Sequence, residues 1–484
     1  METSRSDYQE RMKAIEELKK MGINPFPHKF NITQSIPKIV SENSKKIKFT
    51  KKISTAGRIM GIRGHGKIAF VDLVDDGVKL QCCLRVNELG DKYKIFKKYV
   101  SRGDFLGVTG TLFVTKAGEL TIMSEDFKIL SKALYDLPSS WYGLKDVDTR
   151  YRLRNLDMIL NESVRKTFIT RSKIISRIRE FLNKLGFVEI ETPILQPIYG
   201  GANAKPFKTH VNFLNEDWYM SISPELYLKK LIMGGIDKVY EIEKNFRNES
   251  VDTKHNPEFT SLEIYQSYAD YNDMMDLTEN IIVDVAKNVL GKLKFKYGKY
   301  EIDFTSPWKR ISMIDALKEN GYDVEKMSDD EIKSLLEKEI PGGYNRGLAI
   351  AQLFEQFCED KLIQPTFVID HPKETTPLCK IHRKDPRLIE RFELYIAGME
   401  LANAYTELND PILQDKFFLE ETKRRTLGDE EAQQYDKNFI ESMRYGMPPT
   451  GGLGIGIDRL IMILTGNTSI KEVIPFPMIK KNKE

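Results

Sequence analysis

Residues 245–265 read NFRNESVDTKHNPEFTSLEIY, a polar centre between two segments that contain apolar residues. The pattern predicts a strand over KVYEIEKNFR, a polar loop over NESVDTKHNP and a second strand over FTSLEIYQ. Because side chains alternate along a strand, Leu262 and Ile264 are expected to face the core. The opposite face, which we expect to contact a polar ligand, carries Phe259, Ser261, Glu263 and Tyr265.

The residue types in this hairpin suit a nucleotide. Arg247 has a rigid fork that holds a phosphate or a carboxylate at two points, and Phe259 has a flat face on which a base can stack. A salt-bridged surface hairpin is the alternative for this stretch taken alone. Other parts of the chain are needed to choose between the two interpretations.

The segment GGLGIGIDRLIMIL, residues 451–464, favours the ligand site. Glycines at 452, 454 and 456 leave one face of a strand bare, so that a ligand can lie against the backbone. Asp458 is expected to cap the following helix, with Arg459 in its first turn and with Ile461 and Leu464 packed inward. The spacing matches neither the dinucleotide fingerprint nor a P-loop.

A third cluster is RFELYIAGMELANAYTELND, residues 391–410. Glu393 and Glu400 flank a turn, and a hairpin there would bring both carboxylates to one hard cation such as Mg²⁺. In a regular strand over 399–407, however, Glu400 points away from the face that holds Asn403, Tyr405 and Glu407. Glu400 is therefore either structural or turned inward by a β-bulge.

The front of the chain predicts a small barrel. Residues 1–52 form a lead-in with a helix over 8–20 that stops at Gly22. Five alternating apolar segments predict a small barrel over 53–135, with hairpin turns at 76–77 and 117–119. The segments are 53–63, 67–75, 78–86, 104–115 and 119–130. Residues 136–150, with Pro138 and Gly143, predict a linker.

Residues 151–484 predict a larger α+β domain. Its first helix carries one apolar stripe, ends at Gly186 and is followed by the alternating FVEIETP, residues 187–193. The stripe consists of Val164, Phe168, Ile175, Ile178, Leu182 and Leu185. Short connections between the later strands indicate a mostly antiparallel sheet flanked by helices, with a helical insertion near 315–350. We expect those strands near 218–222, 239–244, 259–266, 366–370, 391–397, 399–407 and 451–457.

Composition narrows the class of protein. The chain contains no run of about eighteen apolar residues, so no membrane-spanning helix is predicted. The N-terminus mixes acids and bases without an apolar stretch, which argues against a secretory signal and a transit peptide, so we expect a cytoplasmic protein. Four cysteines without a CxxC pair predict neither zinc nor a disulfide. They are Cys82, Cys83, Cys358 and Cys379.

Charge is unevenly distributed along the chain. Residues 1–140 hold 25 Lys and Arg against 16 Asp and Glu, whereas the remainder is mildly acidic. The basic front suggests that any contact with a polyanion is concentrated there. A solvated lysine-rich surface is the alternative.

Taken together, these segments resemble the three signature motifs of the class II aminoacyl-tRNA synthetases. FVEIETP resembles motif 1, FRNESVDTKHNPEFTSLEIYQSYADY resembles motif 2 and GLGIGIDRLIMIL resembles motif 3. The match is closer still to the lysyl-tRNA synthetase family of the eukaryotic kind, over nearly the whole chain. The segments that carry this match are PFPHKF, YGLKDVDTRYR, GGANAKPF, SPELYLKKLIMGGIDKVYEI, HNPEFT, NAYTELNDP and YGMPPTGGLGIGIDR.

The resemblance implies lysine activation by ATP, followed by transfer of lysine to tRNA(Lys). It implies that Arg247 grips the α-phosphate and the amino-acid carboxylate, and that Arg459 holds the γ-phosphate and stacks with adenine on Phe259. Glu393 and Glu400 would hold Mg²⁺. The implied ATP site further includes Asn248, Glu249, His255, Asn256, Leu401, Gly456, Ile457 and Asp458. Motif 1 implies a homodimer.

The lysine pocket also has a physical basis, because a buried ammonium requires anionic partners. Glu263 and Glu407 supply two carboxylates, while Tyr265 and Asn403 add neutral hydrogen bonds. By resemblance, Glu225 contacts the α-amino group, Gly201 forms the pocket floor and Tyr405 forms a wall. The resemblance also implies that the barrel is an OB-fold, which would bind the anticodon through Arg63, Phe70, Gln81 and Glu119. For Phe70, a core aromatic remains the alternative.

Some positions depart from the family pattern. Glu243 and Lys244 stand where many relatives have Gly-Arg, Ser250 replaces a common Gly and Asn155 replaces a usual Tyr. The nearest rival is an aspartyl- or asparaginyl-tRNA synthetase, disfavoured because Glu263 and Glu407 would repel an acidic substrate. A catalytically silent tRNA-binding paralogue would be expected to have lost Arg247, Arg459 or the paired glutamates. A relative that transfers lysine to a protein would be expected to lack the barrel.

Overall fold

The computed structural model describes residues 5–43, 52–138, 144–429 and 432–480. The chain divides into two compact units, Met1–Lys145 and Asp146–Glu484. Residues 44–51 of the predicted lead-in, residues 139–143 of the predicted linker and the charged tail 481–484 lie outside the described residues. The first helix of the second unit begins at Val147, so the last residues of the predicted linker are helical. Among the described helices, none is long and apolar enough to span a membrane.

The first unit contains a closed five-stranded barrel, as predicted, in the order β1-β2-β3-β5-β4. The strands are β1 (Lys52–His65), β2 (Ile68–Asp75), β3 (Val78–Arg85), β4 (Phe105–Val114) and β5 (Leu120–Ser131). Helices α1 (Arg5–Lys20) and α2 (Ile36–Asn43) precede the barrel, and α3 (Val86–Leu89) and α4 (Lys92–Tyr99) connect β3 to β4. The predicted turn between β2 and β3 has positive φ at both Asp76 and Gly77, as a tight hairpin turn requires.

Alternation along the strands fills the barrel. In β2, Ala69, Val71 and Leu73 are buried while their neighbours are partly exposed. They pack with residues of the other strands and of α2, including Ile36, Ile59, Leu84, Val108 and Ile122. Each fully buried aliphatic side chain stabilises the fold by about 1.5–3 kcal/mol relative to exposure. The outward positions are left free for recognition.

The second unit is built on an eight-stranded sheet in the order β14-β15-β16-β17-β18-β11-β10-β6. Its strands are β6 (Val188–Glu189), β10 (Lys238–Phe246), β11 (Glu258–Ser267), β14 (Lys309–Ser312), β15 (Thr366–Pro372), β16 (Leu388–Ile396), β17 (Met399–Thr406) and β18 (Thr450–Gly456). Smaller sheets contain β7 (Leu195–Gln196), β8 (Lys208–Val211) and β9 (Glu216–Met220), and β12 (Lys294–Tyr297) with β13 (Tyr300–Asp303). All neighbours in the large sheet are antiparallel except β14 with β15 and β10 with β6, so the mostly antiparallel prediction is confirmed.

Helices flank this sheet. They are α5 (Val147–Arg152), α6 (Arg154–Leu160), α7 (Glu162–Lys184), α8 (Glu225–Met233), α9 (Tyr271–Leu290), α10 (Met313–Glu319), α11 (Asp329–Leu335), α12 (Arg346–Phe357), α13 (Pro411–Thr426), α14 (Lys437–Met443), α15 (Ile457–Thr465) and α16 (Ile470–Val473). Leu262 and Ile264 lie in the core with residues of α7, α9 and α15, as their strand parity predicts. That face of the sheet is therefore covered, and polar side chains of the opposite face can line a site.

Two local predictions about the motif 1 region were wrong. Leu185 is 44% exposed, because α7 ends one residue earlier, whereas Ile174, outside the predicted stripe, is fully buried. Gly186 adopts φ +80°, which suits the predicted helix end. The expected FVEIETP strand is paired only at Val188 and Glu189, which run parallel to β10 at the edge of the sheet.

Candidate active site

Five strands of the large sheet bring the predicted residues together. The bare glycine face of β18 lies between β11 and β17, so that Gly454 pairs with Glu263 on one side and with Asn403 on the other. Gly452 likewise lies between Tyr265 and Tyr405. A Cβ on Gly452 would lie 1.9 Å from Glu407 Oε1 and 2.6 Å from the Tyr265 ring. Glycine is required there because two polar side chains close over the strand.

A cavity of about 470 Å³ opens on this face. It is lined by all the residues predicted for lysine binding, namely Gly201, Glu225, Arg247, Glu263, Tyr265, Asn403, Tyr405 and Glu407. Predicted ATP and metal residues on the same wall are Glu249, His255, Asn256, Phe259, Glu393, Glu400, Leu401, Gly456, Asp458 and Arg459. The three sequence clusters thus form one continuous site.

Three carboxylates converge on this cavity. Glu263 accepts hydrogen bonds from Ser223 Oγ at 2.8 Å and from Tyr265 Oη at 3.0 Å. Burial, together with the nearby Glu225, raises its pKa to about 8. Burial also raises the pKa of Glu407 to about 8, although Lys229 opposes the shift. Glu225 is buried as well, so the pocket concentrates negative charge for which a cation would compensate.

Arg247 is placed to receive an anion. Its guanidinium lies over the Phe259 ring at 5.1 Å, and Nη2 donates a long hydrogen bond of 3.4 Å to the Ile222 carbonyl. Its buried Nε donates to no described residue. An arginine with unused donors inside a polar cavity suits a phosphate or a carboxylate. The predicted partner of Phe259 was Arg459, but in this structure Arg247 covers the ring.

Arg459 projects from the first turn of α15, as predicted. It donates to the Glu400 carbonyl at 2.5 Å and approaches His255 Nε2 at 2.9 Å. The prediction that Asp458 caps the helix was wrong. Gly456 is the N-cap, while Asp458 accepts the Thr260 amide at 2.7 Å and pairs with Arg171. The Asp458 carboxylate therefore ties motif 3 to β11 and α7.

A β-bulge decides the position of Glu400. Leu394 pairs with Ala402 and Tyr395 pairs with Glu400, so Leu401 is the extra residue in β17. The bulge reverses the strand parity and turns Glu400 into the cavity, the second of the two alternatives left open by the sequence. Leu401 itself keeps its side chain in the core.

Glu393 and Glu400 suit a divalent cation. Burial raises the pKa of Glu400, and the repulsion from Glu393 raises it further. Glu393 has a lowered pKa despite its burial, because Arg391 and His371 stabilise its charge. In the described part of the chain, no group of three or more His, Cys, Asp or Glu could hold a metal. Two protein carboxylates are nevertheless enough for Mg²⁺ when phosphate oxygens and water molecules supply its remaining ligands.

Two predicted ATP residues do not line the cavity with their side chains. Ile457 is fully buried in the core beneath the sheet. Asn248 lies two residues beyond β10, where it is exposed and its backbone amide donates to the Lys205 carbonyl at 2.7 Å. Burial therefore removes only the side chain of Ile457 from contact with a ligand.

The predicted anticodon residues share the outer surface of the barrel. Phe70 is partly exposed opposite Arg63 and is outside the core, so the core-aromatic alternative is wrong. Arg63 pairs with Asp72 at 2.9 Å, and Gln81, directly across from Asp72, accepts from Thr121 Oγ1. Glu119 lies just before β5 and pairs with Lys79. An exposed aromatic among polar groups suits an unpaired base.

Comparison with known proteins agrees with this geometry. Residues 146–480 match the family model of the class II tRNA synthetases (D, K and N), and residues 53–130 match that of the OB-fold nucleic acid binding domain. The lysine–tRNA ligase of Saccharolobus solfataricus is 56% identical over 479 residues, covering 97% of both chains. That of Thermotoga maritima is 50% identical over 486 residues, covering 98% of this chain and 96% of the relative.

The chain belongs to the class II tRNA synthetases, in the lysine–tRNA ligase family.

The positions that depart from the family pattern differ in their relation to the site. Neither carboxylate oxygen of the buried Glu243 accepts a well-formed hydrogen bond from a described residue. Burial, reinforced by Glu263 and Glu241, raises the pKa of Glu243 to about 9. Lys244 lies 3.5 Å from Glu258, and Ser250 lines the cavity. Asn155 is exposed on α6.

Sequence reasoning missed three cationic residues of this synthetase site. Arg391 donates to Asn403 Oδ1 at 3.1 Å and to Glu393 Oε1 at 2.5 Å, linking the amino-acid and metal positions. Arg171 of α7 donates to Thr260 Oγ1 at 2.9 Å and pairs with Asp458. Lys229 lies between Glu225 and Glu407. The available signal was the excess of nearby carboxylates, since buried acids require buried cations.

Proposed function

We propose that this protein is a lysine–tRNA ligase that forms lysyl-adenylate and pyrophosphate from L-lysine and ATP, then transfers lysine to the 3′ end of tRNA(Lys). The observation that carries the proposal is the convergence of Glu225, Glu263 and Glu407 in the cavity that contains Arg247 and Phe259. Three carboxylates select a substrate with more than one positive charge. The arginine and the aromatic ring select an anionic nucleotide.

In the proposed complex, lysine lies against the glycine strand. Glu263 and Glu407 hold its side-chain ammonium, Tyr265 and Asn403 add hydrogen bonds, and Glu225 takes the α-amino group. Gly201 forms the floor of the pocket and Tyr405 forms one wall. The carboxylate of lysine then points toward Arg247, whose unused donors can hold it beside the α-phosphate.

ATP occupies the neighbouring part of the cavity. Adenine stacks on Phe259, which requires Arg247 to leave the ring, and Arg459 moves to cover the base and to bind the γ-phosphate. Glu249, His255 and Asn256 supply further contacts, and the backbones at Asn248, Leu401, Gly456, Ile457 and Asp458 border the nucleotide. Glu393 and Glu400 would hold Mg²⁺, which supplies positive charge against the phosphates.

The proposed reaction has two steps and no covalent enzyme intermediate. A carboxylate oxygen of lysine bonds to the α-phosphorus as the bond to the bridging oxygen breaks, and pyrophosphate leaves. A hydroxyl of the terminal adenosine of tRNA then attacks the lysyl carbonyl, and AMP leaves. Arg247 contributes by aligning the two anions and by stabilising charge on the α-phosphate.

The remaining assignments concern macromolecular partners. We infer that the barrel binds the anticodon, with Phe70 stacking on a base and Arg63, Gln81 and Glu119 contacting base edges. We also infer a homodimer in the cytoplasm. Support for the dimer comes from exposed apolar residues in and beside motif 1, namely Ile169, Val188, Ile194 and Leu195. Sedimentation analysis of the purified chain tests it, and a monomer at micromolar concentration would contradict it.

Lysine-dependent exchange of pyrophosphate into ATP tests the main proposal. Each amino acid is supplied in turn with ATP and Mg²⁺, and only lysine should support exchange. Stimulation by aspartate or asparagine would instead identify the rival specificities, which the carboxylates disfavour. No exchange with any amino acid would support a catalytically silent paralogue, although Arg247, Arg459, Glu393 and Glu400 are all in place.

A further inference from the structure

Beneath the amino-acid pocket lies an ammonium that belongs to the protein. Lys229 Nζ is 2.5 Å from Glu225 Oε1 and 2.5 Å from Glu407 Oε2. Its side chain is about 1% exposed, and it is not among the residues that line the cavity. Lys229 therefore contacts the pocket carboxylates from behind, while both glutamates also face the cavity.

Local structure explains this position. Glu225 opens α8 and Lys229 follows four residues later, so the two side chains lie on the same face of the helix. Glu407 follows the end of β17 and contacts the ammonium from a second element. Helix α8 packs against β10 and β11, where Leu228 and Ile232 form an apolar cluster with Val239 and Tyr265. The ammonium is thus excluded from water and restricted to the two carboxylates.

The number of charges in the pocket indicates a role for the Lys229 ammonium. The pocket holds three carboxylates, Glu225, Glu263 and Glu407, and the resident ammonium offsets one of their charges. Two negative charges remain when all three acids are ionised. Lysine carries two ammonium groups, and its carboxylate is matched separately by Arg247. The occupied pocket is therefore neutral, which a buried site requires.

We propose that Lys229 is the resident counter-charge of the amino-acid pocket, a positioning residue that orients Glu225 and Glu407 and sets the pocket charge to match a dicationic substrate. The proposal rests on the proposed lysine specificity. It assigns to Lys229 an effect on lysine binding through the two glutamates, without contact with the substrate.

Binding of lysine should therefore release protons. Burial of several acids in the empty pocket raises the pKa of Glu263 and of Glu407 to about 8, so both are mostly protonated at pH 7. They ionise when the ammonium groups of lysine arrive. Other titratable or charged groups around the pocket carboxylates are Glu243 on β10, Arg391 on β16, Arg247 after β10, Tyr265 on β11, Tyr405 on β17 and the buried Cys379. Burial raises the pKa of both tyrosines and of the cysteine, so none of these ionises near neutral pH.

The first test is Lys229→Met, compared with Lys230→Met as a matched control. Lys230 is the next residue of α8, and its ammonium bonds to Asn438 near the surface instead. In pyrophosphate exchange, Lys229→Met should raise the KM for lysine by at least about tenfold, with the KM for ATP within about twofold. Without the resident cation, the pH at which lysine affinity is half-maximal should rise by about one to three units. Lys230→Met should change neither value.

The second test compares the unmodified protein with folded Lys229→Met. Calorimetry of lysine binding at pH 8, in buffers of different ionisation enthalpy, should detect fewer protons released by the unmodified protein than by the variant, because the resident cation keeps the pocket acids more ionised. Equal release would overturn the proposal. A folded Lys229→Met with unchanged lysine KM and pH midpoint would also overturn it, as would equal losses for lysine and ATP. If Lys229→Met does not fold, Lys229→Arg, which keeps the charge, is measured in its place: folded Lys229→Arg should release the wild-type number of protons, and a different number would refute the charge role.

These outcomes are separable from failure of the proposed function. If the unmodified protein shows no lysine-dependent exchange, the specificity itself is wrong. If the unmodified protein exchanges with lysine but Lys229→Met behaves as wild type, only the role of Lys229 is wrong.

Discussion

Gly452→Ala is expected to damage lysine binding selectively. The added methyl carbon would lie 1.9 Å from Glu407 Oε1, whereas ordinary contact begins near 3.4 Å, so the carboxylate must move by about 1.5 Å. It cannot retreat freely, since its other oxygen is 2.5 Å from Lys229. The Tyr265 ring, 2.6 Å from the new atom, must move as well.

The size of the effect follows from the contacts that are displaced. Loss of one charge-assisted hydrogen bond to the substrate costs about 1.5–3 kcal/mol, which corresponds to roughly a 10- to 150-fold higher KM for lysine. The KM for ATP should change little, because the displaced residues lie on the amino-acid side of the cavity. Pyrophosphate exchange at saturating ATP with varied lysine measures the first value, and the reverse experiment measures the second.

Gly454→Ala is the matched comparison on the same strand face. Its Cβ would meet Asn403 O at 3.7 Å and Glu263 Cγ at 3.9 Å, which are ordinary contacts. Its effect on the lysine KM should therefore be clearly smaller. If folded Gly452→Ala kept a lysine KM within about twofold of the wild-type value, the assignment of Glu407 and Tyr265 to the substrate pocket would be refuted.

Three further predictions concern other parts of the protein. Arg247→Ala should lower the rate of pyrophosphate exchange by about 100- to 1,000-fold, since the α-phosphate loses its main cationic partner, and near-normal exchange would remove Arg247 from the mechanism. Phe70→Ala should lower kcat/KM for tRNA(Lys) charging by roughly 5- to 150-fold, the loss of about 1–3 kcal/mol of base stacking, while sparing pyrophosphate exchange; equal damage to both activities would indicate a folding role. Glu243→Gln should stabilise the protein at pH 8 by about 1–3 kcal/mol. The pKa of Glu243 is about 9 when folded against an ordinary 4.5, so its penalty is absent below pH 4.5 and grows as the pH rises toward 9. Thermal unfolding at pH 5 and pH 8 measures the difference, and an equal gain at both values would contradict the charge explanation.

Much of the architecture was predictable because local periodicity is strong in this chain. The five alternating segments of the barrel and the parity of β11 depend only on the two-residue repeat of a strand. Leu262 and Ile264 were placed in the core, and Glu263 and Tyr265 in the site, by the same rule. The residue types of the three clusters also indicated a nucleotide and an ammonium before any contact was known.

Predictions were wrong or left open where a residue's position depends on a neighbouring element. The one-residue shift that turns Glu400 inward arises from pairing between β16 and β17, and regular parity could not choose between its two alternatives. Asp458 was expected to cap its own helix, but the Thr260 amide and Arg171 hold its carboxylate instead. Ile457 matched a site position in the motif, yet its side chain lies on the core side of α15.

The sequence by itself determined the fold class, the family and the chemical types expected to recognise lysine and ATP, because strand periodicity and motif residues are local properties. Only the tertiary structure decided which charged side chains contact each other. Lys229 is separated from Glu407 by nearly 180 positions in the chain, yet their buried side chains are 2.5 Å apart. Electrostatic energy in a buried site depends on distance and dielectric environment, and neither is readable along the chain. The balance of charge in the pocket is therefore a property of the fold.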